Sequence, residues 1–559
     1  MVHQELELDE PEPSRICDGK SPLDVQEEPG LGPDAPGSSG VDIRQIARAT
    51  LLVASLLALD KTLGIVREML VSRAFGTSAV LDAYFAAFEI PEGLNTIVTG
   101  AALTTALIPL LTRALSKQRH FDLWHLVSVV VNWILIFVGG ASIVAAVFAR
   151  PIIVTVAPGF AGDLDQVALA TRLMRLVLIQ TLIFSVSTVF TSTLQAHEHF
   201  LLPALAPLCY TLGRIFGAVV LVPGMGIFGL AWGGLLGAVA HLLIKVPWLV
   251  HRQARWVASL YHPELGALLK LMAPRMLGMG VTYVTFVLPT TFGSYLPDGA
   301  IAAYEYAWKL MQLPQTLLGT AMGIVVFPTL ARIVDEAHAA DEADGYKTDL
   351  RHTFSWALRL ILALSVPAAV GLLVVGRPLA ALFFQGGAFD AVATDRVYWA
   401  LQFFALGLVT HSTLEVVARL FYAQRDMWTP LWAAVGGLTL NTTVAWILLP
   451  RLAHGAIALG NSLGVGFQVI ALLFVARRKL AGIDEGPITR SLVRTGIASG
   501  LMAMAMFGFY ALVPDPNGLG RLLVGVAAYV VAALLLGSEE LRQLPQLLMK
   551  RVSPSDQVS

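Results

Sequence analysis

The sequence predicts an all-α polytopic membrane protein, with about fourteen transmembrane helices in two pseudo-symmetric lobes around a central cavity. Three observations carry this expectation. The 559 residues are 56% hydrophobic, with a mean hydropathy of +0.69 and only 14% charged, against roughly 25% charged in a soluble domain. Apolar runs long enough to cross a hydrocarbon core of about 30 Å recur along the chain. The chain also repeats itself: Phe75-Gly76, Pro91 and Pro109-Leu-Leu-Thr-Arg113 are echoed by Phe292-Gly293, Pro314 and Pro328-Thr-Leu-Ala-Arg332.

In chain order, residues 1–42 form an acidic tail. Its first forty residues hold ten Asp or Glu against two basic residues, among many Pro, Gly and Ser. That is too polar to bury a core, so a disordered cytoplasmic segment is expected. No basic stretch leads directly into an apolar run, so the tail does not read as a signal peptide, and the first helix is expected to direct insertion. Helices follow at 47–73 and 79–111, closed by Arg113, Lys117 and Arg119. Those at 122–148, 168–193, 199–222 and 227–250 lead to Arg252 and Arg255. Those at 264–294 and 298–331 lead to Arg332, Lys347 and Arg351, and those at 350–375 and 393–423 to Arg425. Helices at 428–449 and 454–477 end in Arg477, Arg478 and Lys479, with Arg490 beyond, and the last pair spans 489–513 and 519–537. The alternate connections carry little beyond Arg73, Arg150, Arg377 and Arg451. The positive-inside rule then places both termini in the cytoplasm. The expected divisions are an N-lobe over 43–252, a C-lobe over 253–480, a final helix pair over 481–540 and a cytoplasmic tail over 541–559. Cys17 and Cys209 lie too far apart in this topology for a disulfide or a metal site.

The short connections leave no room for a soluble domain, so any activity must reside in the helices. The segment 57–113 is apolar yet carries Asp60, Lys61, Arg67, Glu68, Asp82, Glu89 and Glu92. An ionisable group at the bilayer centre costs roughly 2.5–3.5 kcal/mol even on insertion scales, so these groups are expected to face protein or a watery cavity. Internal repeats are common in transporters, whose sites lie between the halves where kinked helices free backbone polar groups. Pro91, Pro289 and Pro314 sit where kinks would serve, although membrane helices tolerate proline generally.

Several motifs carry a family resemblance. LGIVREMLVSRAFG at Leu63–Gly76 and LDAYFAAFEIP at Leu81–Pro91 resemble the opening signature of the MurJ (MviN) family of lipid II flippases. The likeness continues through VAPGF at Val156–Phe160, LLPALAPL at Leu201–Leu208, APRMLG at Ala273–Gly278, LMQLPQTLLGTAMGIVVFPTLAR at Leu310–Arg332, LFFQGGAFD at Leu382–Asp390 and LFYAQRDMWTP at Leu420–Pro430. It covers nearly the whole chain after the tail. The resemblance implies a MATE-like fold of fourteen helices in two lobes, with a lipid-facing groove on helices thirteen and fourteen. It also implies cavity arginines on helices one, two and eight, suited to a pyrophosphate-bearing substrate because guanidinium groups bind phosphate bidentately.

Carried over by position, the resemblance makes Arg67, Lys61 and Lys309 candidate substrate contacts. Asn95 is neutral where the family has a cation, and Gly100, Trp308 and Gln312 replace acidic positions. Arg275 could add a third cavity cation or snorkel to the interface. Glu68, Asp82 and Glu305 are candidate gating or ion-pair residues. Lys61 and Glu68 are seven apart and share a helix face, so they could pair. Asp82 could pair with Arg67 or cap helix two. His411, Glu415 and Arg419, spaced by four, form either a proton relay or a self-satisfied network. Arg172, Arg175, Arg214, Lys245 and Arg359 read as interfacial or structural, and Gly229, Gly233 and Gly237 as close helix packing.

The function this favours is a flippase moving undecaprenyl-pyrophosphate-linked peptidoglycan precursor across a bacterial inner membrane by alternating access. A paralogue for another lipid-linked saccharide, such as an O-antigen or exopolysaccharide unit, is the second reading, favoured by the departures at Asn95, Gly100, Trp308 and Gln312. A membrane glycosyl- or acyltransferase would need an acid or His cluster in a loop, which is not found. His197-Glu198-His199 lacks zinc-ligand spacing. No Walker A motif is present, so the membrane potential or a coupling ion is the expected energy source. Asn441 matches a sodium-site position in some family members, but Ala445 stands where a carboxylate would be expected. No cofactor and no nucleic-acid partner are expected. The expected partners are the polyprenyl-pyrophosphate-linked saccharide, membrane lipids and the cell-wall synthesis machinery.

Overall fold

The computed structural model describes residues 43–99, 101–116, 120–340, 345–513 and 518–542. The tail expected over 1–42 lies outside the described residues, as does 543–559. By its packing the chain divides into Met1–Leu51 and Leu52–Ser559. Of the first unit the structure describes the helical start from Ile43. Everything below concerns the second.

The helices follow the expected order. They are α1 (Ile43–Phe75), α2 (Ala79–Leu94, continuing through Asn95–Thr99 to Ala101–Ser116), α3 (His120–Val147), α4 (Leu164–Ala196) and α5 (Leu201–Phe216, continuing through Gly217–Leu221 to Val222–Met225). Next come α6 (Ile227–Leu243, resumed at Val246–His251), α7 (Leu265–Gly293), α8 (Ala300–Gln315, continuing through Thr316–Thr320 to Ala321–Ala340) and α9 (Gly345–Phe384). The chain ends with α10 (Ala391–Ala423), α11 (Trp428–Leu452), α12 (His454–Lys479), α13 (Glu485–Leu512) and α14 (Leu519–Leu535). Among the described residues, nine of these are long and apolar enough to span a membrane by length and composition alone. Those outside that set are α1, α2, α7, α8 and the shorter α14. The first four bring charge or a helical irregularity to the middle of the molecule.

The repeat seen in the sequence has a structural counterpart. In α2 a π-helical turn, Asn95–Thr99, follows Pro91, and in α8 the turn Thr316–Thr320 follows Pro314. Proline removes a backbone donor, and a π turn absorbs the resulting mismatch. Pro289 behaves differently, since α7 runs unbroken from Leu265 to Gly293. The expected end of α9 near 375 falls short, because the helix passes Pro367 and Pro378 and continues to Phe384. A short helix, Ala149–Val156, and the turn Pro158–Gly162 link α3 to α4 and were not expected from hydropathy.

A second repeat joins α5/α6 to α11/α12. Each pair turns on one residue with positive φ, Gly226 (+57°) and Ala453 (+49°). Each pair also packs backbone to backbone through glycines. A Cβ on Gly217 would lie 2.6 Å from the Gly229 carbonyl oxygen, and one on Gly460 would lie 2.7 Å from the Asn441 carbonyl oxygen. The expectation that Gly229, Gly233 and Gly237 mark close packing is met, with Gly213 and Gly217 opposite them.

The cores show where the lobes meet. One large cluster joins residues such as Tyr84 of α2, Met174 of α4, Tyr306 of α8 and Phe404 of α10. It lies toward the bundle end that has few basic residues. At the basic end the core splits in two. Leu107 of α2, Leu126 of α3 and Leu268 of α7 form one cluster, while Leu330 of α8, Phe354 of α9 and Phe421 of α10 form another. The core is therefore single at one end and divided at the other, where α7 of the C-lobe packs with the N-lobe cluster. A fourth cluster seats α13 and α14 on α9 through Val375, Met506 and Tyr529.

Candidate functional site

Helices α1, α2, α5 and α8 converge where the shared core gives way. Glu68 of α1 is buried, and two cations hold its carboxylate. Arg67 donates to Oε1 from Nε at 3.0 Å and from its terminal nitrogen at 2.5 Å. Lys309 of α8 reaches Oε2 at 2.8 Å. A buried carboxylate is tolerable only with such partners. The pairing also ties the first helix of one lobe to the other lobe. Lys309 is further placed by the rings of Phe85 and Tyr306, 4.8 and 5.5 Å from its nitrogen. The cations are only partly covered, with side chains 18% exposed for Arg67 and 27% for Lys309, so an anion entering the cavity can reach both.

Arg214 of α5 completes the cluster. Its guanidinium donates to the Tyr84 hydroxyl at 3.1 Å and lies 6.0 Å from the Phe88 ring centre and 5.8 Å from that of Tyr210. It stands within electrostatic reach of Glu68 and of Glu92. Arg214, expected to be interfacial or structural, lies among Tyr84, Phe88 and Tyr210 and not at a helix end. The usable signal was an arginine between Gly213 and Gly217, because glycines that press one face of α5 onto α6 turn a residue beside them elsewhere. Glu305 lies one turn before Lys309 on the same face of α8, and its carboxylate makes no hydrogen bond among the described residues.

Two expected pairings are not formed. Lys61 is exposed and does not bind Glu68, whose oxygens are taken by Arg67 and Lys309. Nearby Asp60 instead accepts from Thr211 of α5 at 2.8 Å. Asp82 neither pairs with Arg67 nor caps α2, whose start is capped by Ser78. The Asp82 oxygens accept from the backbone N–H of Gly299 at 2.6 Å and of Ala302 at 2.8 Å, the first turn of α8. Gly299, at φ +86°, has no side chain with which to cap its own helix. A carboxylate from the other lobe does so and meets the positive end of the helix dipole. The helix holding Arg275 is described, but the Arg275 side chain lies outside the described residues.

Around Asp82 the same end is closed by further contacts between lobes. Ala388 donates its N–H to the Arg73 carbonyl at 2.8 Å, and Gly159 donates to Ser294 Oγ at 3.0 Å. Thr291 reaches the Val156 carbonyl at 2.8 Å. On α10 the His411 stripe is engaged internally, with His411 on Asn461 at 2.9 Å and Arg419 on Glu415 at 2.6 Å. Lys245 is wholly buried and donates to Ser187 Oγ at 2.8 Å and Thr191 Oγ1 at 2.7 Å, a staple between α4 and the end of α6.

The family model described as lipid II flippase MurJ matches residues 71–527. The chain belongs to the MurJ family. It is 30% identical over 449 residues to the lipid II flippase MurJ of Burkholderia cenocepacia, covering 78% of this chain and 84% of that protein. The probable lipid II flippase MurJ of Vibrio cholerae is 25% identical over 538 residues, 88% of this chain and 97% of its own length. Among solved structures, a MurJ in an inward closed conformation superposes with a TM-score of 0.74 at 21% identity, over 87% of this chain and 98% of its own. An inward-facing MATE family multidrug transporter superposes at 0.63 with 15% identity, over 78% of this chain and 99% of its own. The fold expected from the sequence, MurJ-like and MATE-like, is the fold observed.

Proposed function

We propose that this chain is a lipid II flippase, a transporter and not an enzyme, which carries the undecaprenyl-pyrophosphate-linked precursor across the bacterial inner membrane by alternating access. The observation that carries the mechanism is the Glu68 carboxylate held by Arg67 and Lys309 from opposite lobes. A pyrophosphate head cannot cross hydrocarbon unpaired. Arg67 and Lys309 bind it, and Glu68 is the internal anion it displaces. Substrate entry thus exchanges one anion for another, so the cations are not left bare in the empty cavity. With both termini in the cytoplasm, the shared core and the Asp82 cap lie on the periplasmic side, and the end where the core divides faces the cytoplasm. Substrate binding and the Glu68 bridge compete for the same cations, which biases the two arrangements differently. The polyprenyl tail runs along α13 and α14, which pack only on the edge of the C-lobe, and the membrane potential or an ion gradient supplies the drive.

Complementation tests this. The endogenous lipid II flippase is depleted in a bacterial host, and wild type is compared with Arg67→Ala and Lys309→Ala at equal expression. Rescue by wild type alone is expected. A well-inserted wild type that fails to rescue would point to another lipid-linked saccharide.

A further inference from the structure

The two cations that hold Glu68 are one guanidinium, Arg67, and one ammonium, Lys309. A lipid-linked diphosphate presents two anionic phosphoryl groups, each of which can accept a bidentate fork. Arg and Lys also differ in kind: the guanidinium binds two oxygens in a plane, whereas an ammonium acts as a point charge. With Lys309 on α8, Arg67 supplies one fork, and a second would have to come from elsewhere.

We infer that Arg214 is that second fork, a specificity-determining residue that grips the diphosphate from α5 and favours a diphosphate over a monophosphate head. This rests on the lipid-linked substrate proposed above.

Three features of its setting support the role. First, its backbone is rigidly placed. Gly213 and Gly217 flank it and press α5 against Gly229, Gly233 and Gly237 of α6, leaving no space for side chains between the two helices. The arginine stem passes Gly234, where an added Cβ would lie 3.9 Å from Arg214 Cγ. Second, its guanidinium is aimed without being consumed. Among the described residues no carboxylate lies within ion-pairing distance of it, and it donates a hydrogen bond to a neutral phenol, Tyr84, at 3.1 Å. The Phe88 and Tyr210 rings flank it, and Gln180 holds the Tyr210 hydroxyl at 3.0 Å. A guanidinium oriented by a hydroxyl and aromatic faces keeps donors for an incoming anion. Third, it shares the field of the known cluster, since Glu68 and Glu92 each feel Arg214 together with Arg67 and Lys309. A structural arginine would be expected to spend its charge on a carboxylate or a carbonyl, and the Tyr84 hydroxyl is neither.

Purified full-length protein in nanodiscs is titrated with undecaprenyl diphosphate and with undecaprenyl phosphate. The proteins are wild type, Arg214→Gln, Arg214→Lys, Tyr84→Phe and Arg67→Ala, each with its thermal unfolding recorded. A charge-assisted hydrogen bond contributes roughly 1.5–3 kcal/mol, so Arg214→Gln is expected to weaken diphosphate binding by about 10- to 100-fold and monophosphate binding severalfold less. Arg214→Lys recovers part of the affinity but little of the preference for diphosphate. Tyr84→Phe, which frees the fork from its guide, loses affinity by a few fold. If Arg214→Gln unfolds, Arg214→Lys carries the test, since unchanged discrimination in that variant overturns the inference. Wild-type affinity and preference in Arg214→Gln, alongside weakened binding in Arg67→Ala, would refute the role of Arg214 and leave the transport proposal standing. Failure of wild type to bind either lipid would overturn both.

Discussion

Lys309 Nζ lies 2.8 Å from Glu68 Oε2, so the cation that α8 offers to the cavity is already engaged by a carboxylate from α1. Lys309 thus has its counter-ion supplied across the boundary between lobes.

Glu68→Gln should remove that counter-ion. Breaking a fully buried ion pair costs about 3–5 kcal/mol. Because Arg67 and Lys309 are partly exposed, a loss of about 1–3 kcal/mol is expected. The freed cations should bind a diphosphate lipid more tightly, while turnover falls because release is slowed. Thermal unfolding with and without undecaprenyl diphosphate, beside a flipping assay in vesicles, reads both effects. Unchanged affinity would argue that Glu68 and the substrate do not compete.

Asp82→Ala should open the end of the bundle that the cap closes. Loss of an N-cap costs about 0.5–2 kcal/mol, and here the capped helix belongs to the other lobe. Spin labels at the exposed Val80 of α2 and Val392 of α10 report the separation. A new long-distance population is expected in Asp82→Ala, with less of it in Asp82→Asn, which keeps one acceptor. Identical distance distributions would reduce Asp82 to a local stabiliser.

Gly217→Ala should damage the N-lobe, because its Cβ would sit 2.6 Å from the Gly229 carbonyl oxygen and 2.8 Å from Gly233 Cα. Overpacking of this sort costs about 1–3 kcal/mol. Gly140→Ala, where nothing lies within 4 Å, serves as the tolerated control. Comparison of their melting temperatures in detergent decides whether the α5/α6 seam is as tight as described.

Asp426, in the turn between α10 and α11, gives a pH prediction. Partial burial alone would raise its carboxyl, but hydrogen bonds from Lys479 and from Thr429 outweigh that and hold it down to about 2. A depressed acid stabilises the fold above its unfolded value and loses that contribution as pH falls toward the folded one. Wild type should therefore lose a small increment between about pH 4 and pH 2 that Asp426→Asn lacks, below about 1 kcal/mol for a contact this near the surface. Melting curves of the two proteins across that range make the comparison.

Much of the fold was legible because hydropathy and loop charge are properties of short windows. The repeat was legible too, since Pro91 and Pro314 announced the irregular turns at Asn95–Thr99 and Thr316–Thr320. The site was legible only in part. Arg67, Glu68 and Lys309 were expected near the cavity and meet there, but the pairing that Lys61 could have made with Glu68 is not formed. Spacing along one helix finds neighbours on that helix and says nothing of a cation arriving from α8. The setting of Arg214 escaped for the same reason, as Tyr84 and Phe88 belong to another helix.

The sequence by itself determined the number, order and family of the helices, because burying about twenty apolar residues per span is a local and additive demand. Only the tertiary structure decided which charged groups face one another. A helix advances about 100° per residue. A π turn such as Gly217–Leu221 inserts a residue and rotates everything beyond it. Which face looks into the cavity is then set by packing against neighbours distant in the chain. That packing turns Asp82 into the cap of α8 and brings Arg214 onto the Tyr84 hydroxyl.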